Sequence, residues 1–360
     1  MNPRDAIVVS GAAAGLARDD MELREAQRAR IADRTARAIA DGTPANTLSA
    51  YLRDFADFQA WCAAQAPPFH PLPADGVAIE GYLTYLRDLR RSDGRFALRA
   101  GTIERRLSGI VWAHEFENLP NPRTPQIKKL IRAIKVARSV GGEPAPKMAA
   151  PLTLADLRKI DRLLGEDGTV LSTRNQAIIM VGWACALRRS EICALDLEDI
   201  HVSDEGIAVT IRRGKTDQTG AGVTLPLSRE PGALCPVRSL ERWLEARGSE
   251  PGPLFCRHWN GKRGGRLHIG KRLNDQQVAL LVDSLVKRVG LRSEYGKLEF
   301  SAHSLRAGFI TESVRLGRKE SEVQKHSRHK THRVFMGYVR ITETFKSNPV
   351  KGLFSEDEEK

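Results

Sequence analysis

Arg188, His303, Arg306, His329 and Tyr338 are the residues of this chain whose types and spacing could do chemistry together. His303 and Arg306 are three apart in Ser301-Ala302-His303-Ser304-Leu305-Arg306. Residues at that spacing share a helical face, so they can grip one anion from neighbouring turns. Arg328-His329 follows, then Gly337-Tyr338-Val339-Arg340. Two guanidiniums, two imidazoles and a phenol suit a phosphodiester. The cations stabilise charge on the non-bridging oxygens and the tyrosine oxygen attacks phosphorus. The sequence offers no carboxylate cage for Mg²⁺ and no Walker-type glycine-rich loop. The expectation is phosphoryl transfer with no metal and no nucleotide cofactor.

Composition agrees with a polyanionic partner. The 360 residues suffice for two ordinary domains, 41% of them are hydrophobic, and the net charge is +13. Five cysteines (Cys62, Cys185, Cys193, Cys235, Cys256) are scattered, odd in number and form no CxxC pair. They read as reduced thiols of a cytoplasmic protein, not a disulfide framework or zinc ribbon. Cys256, His258 and His268 match no usual metal-ligand spacing. The longest apolar run, Ala177 to Leu187, is too short to span a bilayer, so no membrane association is expected. Ala6 to Ala17 is broken by Ser10 and Gly11 and reads as part of a flexible tail over 1–20, not a signal segment.

The elements that must position these residues follow from periodicity. Residues 21–41 read as a charged helix. Leu48, Tyr51, Leu52, Phe55, Phe58, Trp61 and Cys62 form a helical stripe over Thr47–Ala64. A second helix over Asp75–Leu89 carries Val77, Ile79, Tyr82, Leu83 and Leu86. A third begins at Thr102, taken as an N-cap. A fourth runs from Pro125 to about Ala137 with Ile127, Leu130, Ile131 and Ile134 on its apolar face. Its other face carries Lys128, Lys129, Arg132, Lys135 and Arg138 without one acid. A charged helix face is ordinarily just solvated, but five unopposed cations favour contact with phosphates. Ser139 to Pro151, with three prolines and paired glycines, reads as a linker. These features define an all-α module over 21–138 and a linker over 139–151.

A second module, 152–345, opens on the capping-box pattern Thr153-Leu154-Ala155-Asp156. Helices are expected to about Leu164, over Thr173–Ala184, and after Arg188 with Ser190 as cap. Ile207–Ile211 and Val223–Leu227 read as a hairpin across a Gly-rich turn, with Lys215 at its tip. Helices follow over Val237–Ala246, Asp275–Val289, Ser304–Leu316, Ser321–His326 and His332–Tyr338, then a tail over 346–360. The fold class is mainly α with a small antiparallel sheet.

Taken singly, each candidate has an ordinary reading. Arg188 could be a basic residue at a helix C-terminus, Lys215 an exposed turn lysine, His303 a buried histidine and Tyr338 a core tyrosine. Taken in order, Leu187-Arg188 with Glu191, Lys215, His303-Ser304-Leu305-Arg306, and His329 nine residues before Tyr338 resemble the boxes of the tyrosine site-specific recombinases, the phage-integrase family. Arg328-His329 stands where that family more commonly has Gly-His. The resemblance implies a SAM-like core-binding domain followed by a mixed α+β catalytic domain. It implies Arg188 and Arg306 as phosphate-binding arginines and Glu191 as the carboxylate supporting Arg188. It further implies Lys215 as general acid, His303 and His329 as aids to proton movement or phosphate holding, and Tyr338 as nucleophile. The product of attack would be a 3′-phosphotyrosine, and the implied partner is double-stranded DNA bearing specific recombination sites, bound by a homotetramer. His326 and His332 are taken as surface or DNA-facing residues. The same chemistry is shared by type IB topoisomerase-like nicking-closing enzymes, and a catalytically idle DNA-binding regulator is a third reading. The helical module before the linker favours the recombinase, and the filled catalytic positions disfavour the idle scaffold.

Overall fold

The computed structural model describes residues 42–143, 148–212, 222–261, 264–293, 298–329 and 331–343, with four single residues between 27 and 38. The expected tails, most of the helix over 21–41, and Lys215 lie outside these residues. The chain divides into two compact units, residues 1–145 and 146–360.

In the first unit, helical periodicity produces α1 (Ala45–Ala63), α2 (Gly76–Asp88), α3 (Ala100–Phe116) and α4 (Pro125–Val140). Asp75 starts α2 by accepting the Ala78 N–H, and Thr124 starts α4 by accepting the Ile127 N–H with Pro125 at the first turn. The core gathers Phe58, Cys62, Ile79, Tyr82, Leu83, Leu86, Ile103, Leu107, Ile110, Ile127, Ile131 and Ile134. Three expectations need correction. Leu52 and Val77 are exposed, because each sits at the edge of its helix's buried stripe. Thr102 is not a cap. Helix α3 begins two residues earlier, and the Ala100 N–H is taken by the Glu143 carboxylate, so no local side chain is needed there.

In the second unit, the Thr153–Asp156 capping box forms as expected and opens α5 (Leu154–Asp167). Then come α6 (Val170–Ala184), α7 (Arg189–Ala194), β1 (Ile200–Ser203), β2 (Gly206–Ile211) and β3 (Val223–Ser228). After them follow α8 (Pro236–Arg247), β4 (Cys256–Gly261), β5 (Gly264–Arg272), α9 (Asp275–Arg288), α10 (Ser304–Arg315), α11 (Glu320–Ser327) and α12 (His332–Glu343). Ser190 is not the cap of α7; it lies in the first turn, and Arg188 holds the cap position.

The expected hairpin forms with Ile207 opposite Leu227 and Val209 opposite Leu225. These four side chains are buried on one face, as a period of two requires. Pro226 is tolerated because β3 is an edge of the antiparallel order β1-β2-β3. Strand β1 and the β4–β5 hairpin were not expected. The first is four mostly exposed residues, and the second lacks apolar alternation.

Helix α10 carries Arg306, with His303 at its N-cap position, and packs against α6, α11 and α12. The approach is close at Gly308. A Cβ there would lie 2.0 Å from the Leu152 carbonyl oxygen and 2.6 Å from Trp183 Nε1. Trp183 Nε1 in turn donates to Leu152 O, and the Leu152 N–H to Ser304 O. The mainly α architecture with small antiparallel sheets is therefore the one expected. No helix among the described residues is long and apolar enough to cross a membrane.

Candidate active site

Two sharp helix ends build the site. Helix α6 ends with the Leu187 N–H bonded back to Gly182 O and the Ala186 N–H to Trp183 O, with Ala186 left-handed at φ 47°. Helix α11 ends in the same pattern: the His329 N–H returns to Gln324 O, the Arg328 N–H to Lys325 O, and Arg328 is left-handed at φ 57°. Both are Schellman-type stops with a side chain where glycine is the usual occupant. The first stop delivers Arg188 and the second delivers His329.

Arg188 is fixed by Glu191. Its Nη1 donates to Glu191 Oε1 at 2.6 Å and its backbone N–H to Oε2 at 2.8 Å. Glu191 is 2% exposed. Burial alone would raise its carboxyl. The Arg328 charge, the Arg188 N–H and the Arg188 guanidinium outweigh that and hold it below the usual range.

Arg306 is buried on α10. Its Nη1 donates to Ala186 O at 2.7 Å, and its Nη2 lies 3.3 Å from His329 Nδ1. Burial, reinforced by the neighbouring Arg188 charge, pushes the Arg306 guanidinium down to about 9. Burial and then Arg306, Arg188, Arg328 and His303 push His329 down to about 3, so its imidazole is neutral at neutral pH. Ser327 Oγ sits 2.9 Å from His329 Nδ1, and Gln324 Nε2 donates to the His329 carbonyl.

Tyr338 on α12 completes the cluster. Its ring centroid is 5.7 Å from that of His329. Tyr338 is 8% exposed, and burial raises its hydroxyl against the pull of Arg306 and Arg188. It borders a cleft of about 710 Å³ together with His303, Arg189 and Ser301. His303 is exposed one turn ahead of Arg306, and its N–H is held by Ser301 Oγ at 3.2 Å.

Arg188, Glu191, His303, Arg306, His329 and Tyr338 thus meet in one place, on four helices or their ends. The guanidiniums of Arg188 and Arg328 both donate to the Glu191 carboxylate, and the buried guanidinium of Arg306 lies beside them on Ala186 O and His329. This excess of buried positive charge suits one anionic ligand. Among the described residues no group of three or more His, Cys, Asp or Glu is placed to hold a metal ion.

Residues 155–344, more than half the sequence, match the phage integrase family. The chain belongs to that family. The resemblance drawn from the Arg, His-x-x-Arg and Tyr boxes is thereby borne out, as is the enzyme class, a tyrosine recombinase. The recombinase is 29% identical over 317 residues to an integrase/recombinase xerD homolog of Selenomonas ruminantium, with 86% of each chain covered. Its fold resembles the Tn1549 transposon integrase solved with transposon right end DNA, at a TM-score of 0.54, 14% identity, and coverage of 86% of this chain and 93% of that one. A lambda integrase bound to a COC′ core site gives a TM-score of 0.53 at 16% identity, covering 85% of this chain and 93% of that one.

Two sequence expectations change on the recombinase's structure. Arg138 is not on the basic face of α4. It is 1% exposed, its guanidinium lies 3.5 Å over the Phe96 ring, and its Nη2 donates to Arg87 O. Lys128, Lys129, Arg132 and Lys135 are exposed, with Lys135 paired to Glu104 at 2.8 Å. His326 is not a surface residue either. It is half-buried, bonded to Ala184 O at 2.8 Å and stacked on Phe309. Sequence reasoning gave no role to Ser327 or Gln324, which set the His329 turn. Their signal was only their closeness to His329.

Proposed function

We propose that the protein cleaves and rejoins double-stranded DNA at specific sites through a covalent 3′-phosphotyrosine at Tyr338. What carries this reading is the cluster itself: Arg188, Arg306 and His329 converge beside Tyr338, with Glu191 as the one carboxylate bonded into it among the described residues. A DNA phosphodiester brings the missing negative charge.

In this reading the guanidiniums of Arg188 and Arg306 take the non-bridging oxygens, where their fork geometry fits. The Tyr338 oxygen bonds to phosphorus and its proton leaves to a neighbouring base. The bond from phosphorus to the 5′-oxygen breaks, and that oxygen takes a proton from Lys215. His303, exposed at the cleft, and neutral His329 hold the phosphate or relay protons. The covalent linkage conserves the phosphodiester's energy, so rejoining needs no nucleotide cofactor. The first unit is the core-binding domain, which adds phosphate contacts through Lys128, Lys129 and Arg132. Four protomers assemble on two sites to exchange strands.

The test begins with duplexes enriched from a random library by the purified chain. A suicide duplex nicked near the cleavage point should give an SDS-resistant protein–DNA adduct. Tyr338→Phe should bind the same duplex and give none. A normal adduct yield from Tyr338→Phe would refute the assignment.

A further inference from the structure

Arg328 stands one residue before His329 in a left-handed conformation that L side chains rarely adopt. Glycine would take this position without strain. The arginine side chain is nonetheless deeply engaged, with 11% exposed. Its Nη2 donates to Glu191 Oε2 at 2.8 Å and to Ala186 O at 3.3 Å. Its Nη1 donates to Cys185 O and His326 O, each at 3.1 Å. Only Nε has no hydrogen-bond partner among the described residues.

Every acceptor but His326 O belongs to the α6–α7 turn or to the first turn of α7 beside Arg188. Two of them are shared with the site. Glu191 Oε2 also accepts the Arg188 backbone N–H, and Ala186 O also accepts Arg306 Nη1. The side chain therefore ties one left-handed helix stop to the other, across 137 residues of sequence. Both Nη nitrogens are committed to protein acceptors, so the side chain does not itself reach for phosphate.

We propose that Arg328 is a positioning residue that clamps the His329 turn onto the Arg188–Glu191 pair and so holds the spacing between imidazole and guanidinium. The proposal rests on reading Arg188 and His329 as parts of the phosphodiester site. Losing the clamp lets the His329 turn move relative to Arg188 and Arg306, and small displacements of this kind are costly in rate.

The test compares wild type, Arg328→Gly and Arg328→Lys in the full chain. One arm needs no DNA: amide hydrogen exchange at His329, whose N–H is bonded to Gln324 O. The other arm measures duplex affinity and single-turnover adduct formation on the suicide duplex. Arg328→Gly should exchange faster at His329, bind DNA as wild type does, and form adduct on the order of 10²-fold more slowly. Arg328→Lys keeps the charge on Glu191 and should recover part of the rate. A purely structural role would instead lower affinity and rate together, with no rescue by lysine. Wild-type exchange and wild-type cleavage in Arg328→Gly would overturn the proposal. Should Arg328→Gly fail to fold, Arg328→Lys decides: unchanged His329 exchange with unchanged cleavage overturns it. Should wild type form no adduct on any enriched duplex, the nucleophile reading falls, and the exchange arm alone upholds or overturns the clamp.

Discussion

Replacing Glu191 by Gln probes the electrostatic centre of the site with almost no change in shape. Glu191 receives three donors: Arg188 Nη1, the Arg188 backbone N–H and Arg328 Nη2. Glutamine offers one acceptor oxygen and turns an NH₂ toward a guanidinium or the N–H. The guanidiniums of Arg188 and Arg328, 15% and 11% exposed, lose their shared counter-charge. Removing one partner of a buried ion pair costs about 3–5 kcal/mol. The retained amide acceptor puts this case at the lower end, about 3 kcal/mol. For a unit spanning 146–360, about 2–4 °C per kcal/mol applies, so Tm should fall by about 6–12 °C. The pH dependence has a definite sign. Glu191 is held below its usual value of 4.5 in the folded chain. Its contribution is therefore fully present above about pH 4.5 and fades as pH falls through the lower folded value. The gap in stability between wild type and Glu191→Gln should be full at pH 7 and shrink as the pH drops below 4.5. Circular-dichroism melting across that range measures it. A Tm within 1–2 °C of wild type at pH 7 would show that Glu191 does not hold these arginines together.

On α4, Lys128→Ala, Lys129→Ala and Arg132→Ala should each reduce the slope of log affinity against log salt by about 0.9 for every DNA phosphate left without its cation. Arg138→Ala should leave that slope alone and lower the melting temperature of the first unit, since Arg138 is buried against Phe96; equal slopes for all four variants would reject the distinction. Lys215→Ala should cleave poorly on ordinary DNA yet recover on a 5′-phosphorothiolate duplex, whose thiolate leaves without a proton; equal impairment on both rules out the acid role. Gly308→Ala places a Cβ against the Leu152 carbonyl, so α10 must shift. Denaturant unfolding should show a loss of about 1–3 kcal/mol, and adduct formation should fall with it because His303 and Arg306 ride on α10.

Much of the site was legible because it is written in local spacing. The spacing of His303 and Arg306 is read from four residues of chain, and the Thr153–Asp156 capping box likewise needs only its own four residues. The stripes of Phe58 and Cys62, or Ile127, Ile131 and Ile134, follow from a helical period that needs no partner to be read. Period and spacing report what one segment prefers. They do not report where the chain returns. Arg138 continues the basic pattern of α4 in every local respect, and it is Phe96 and Glu143 folding over it that take it out of solvent. Helix α3 starts at Ala100 because Glu143, 43 residues on, supplies the acceptor that local reading assigned to Thr102. Arg328 shows the same limit at the site. Its type and position were visible in the chain, but a left-handed φ and a carboxylate 137 residues away are properties of the path between α6 and α11. The sequence determined which side chains could meet a phosphodiester. The packing of α10 and of the α11 end against the α6–α7 turn determined that Arg306 and Arg328 would join the local Arg188–Glu191 pair, because only contacts distant in sequence bring those two guanidiniums there.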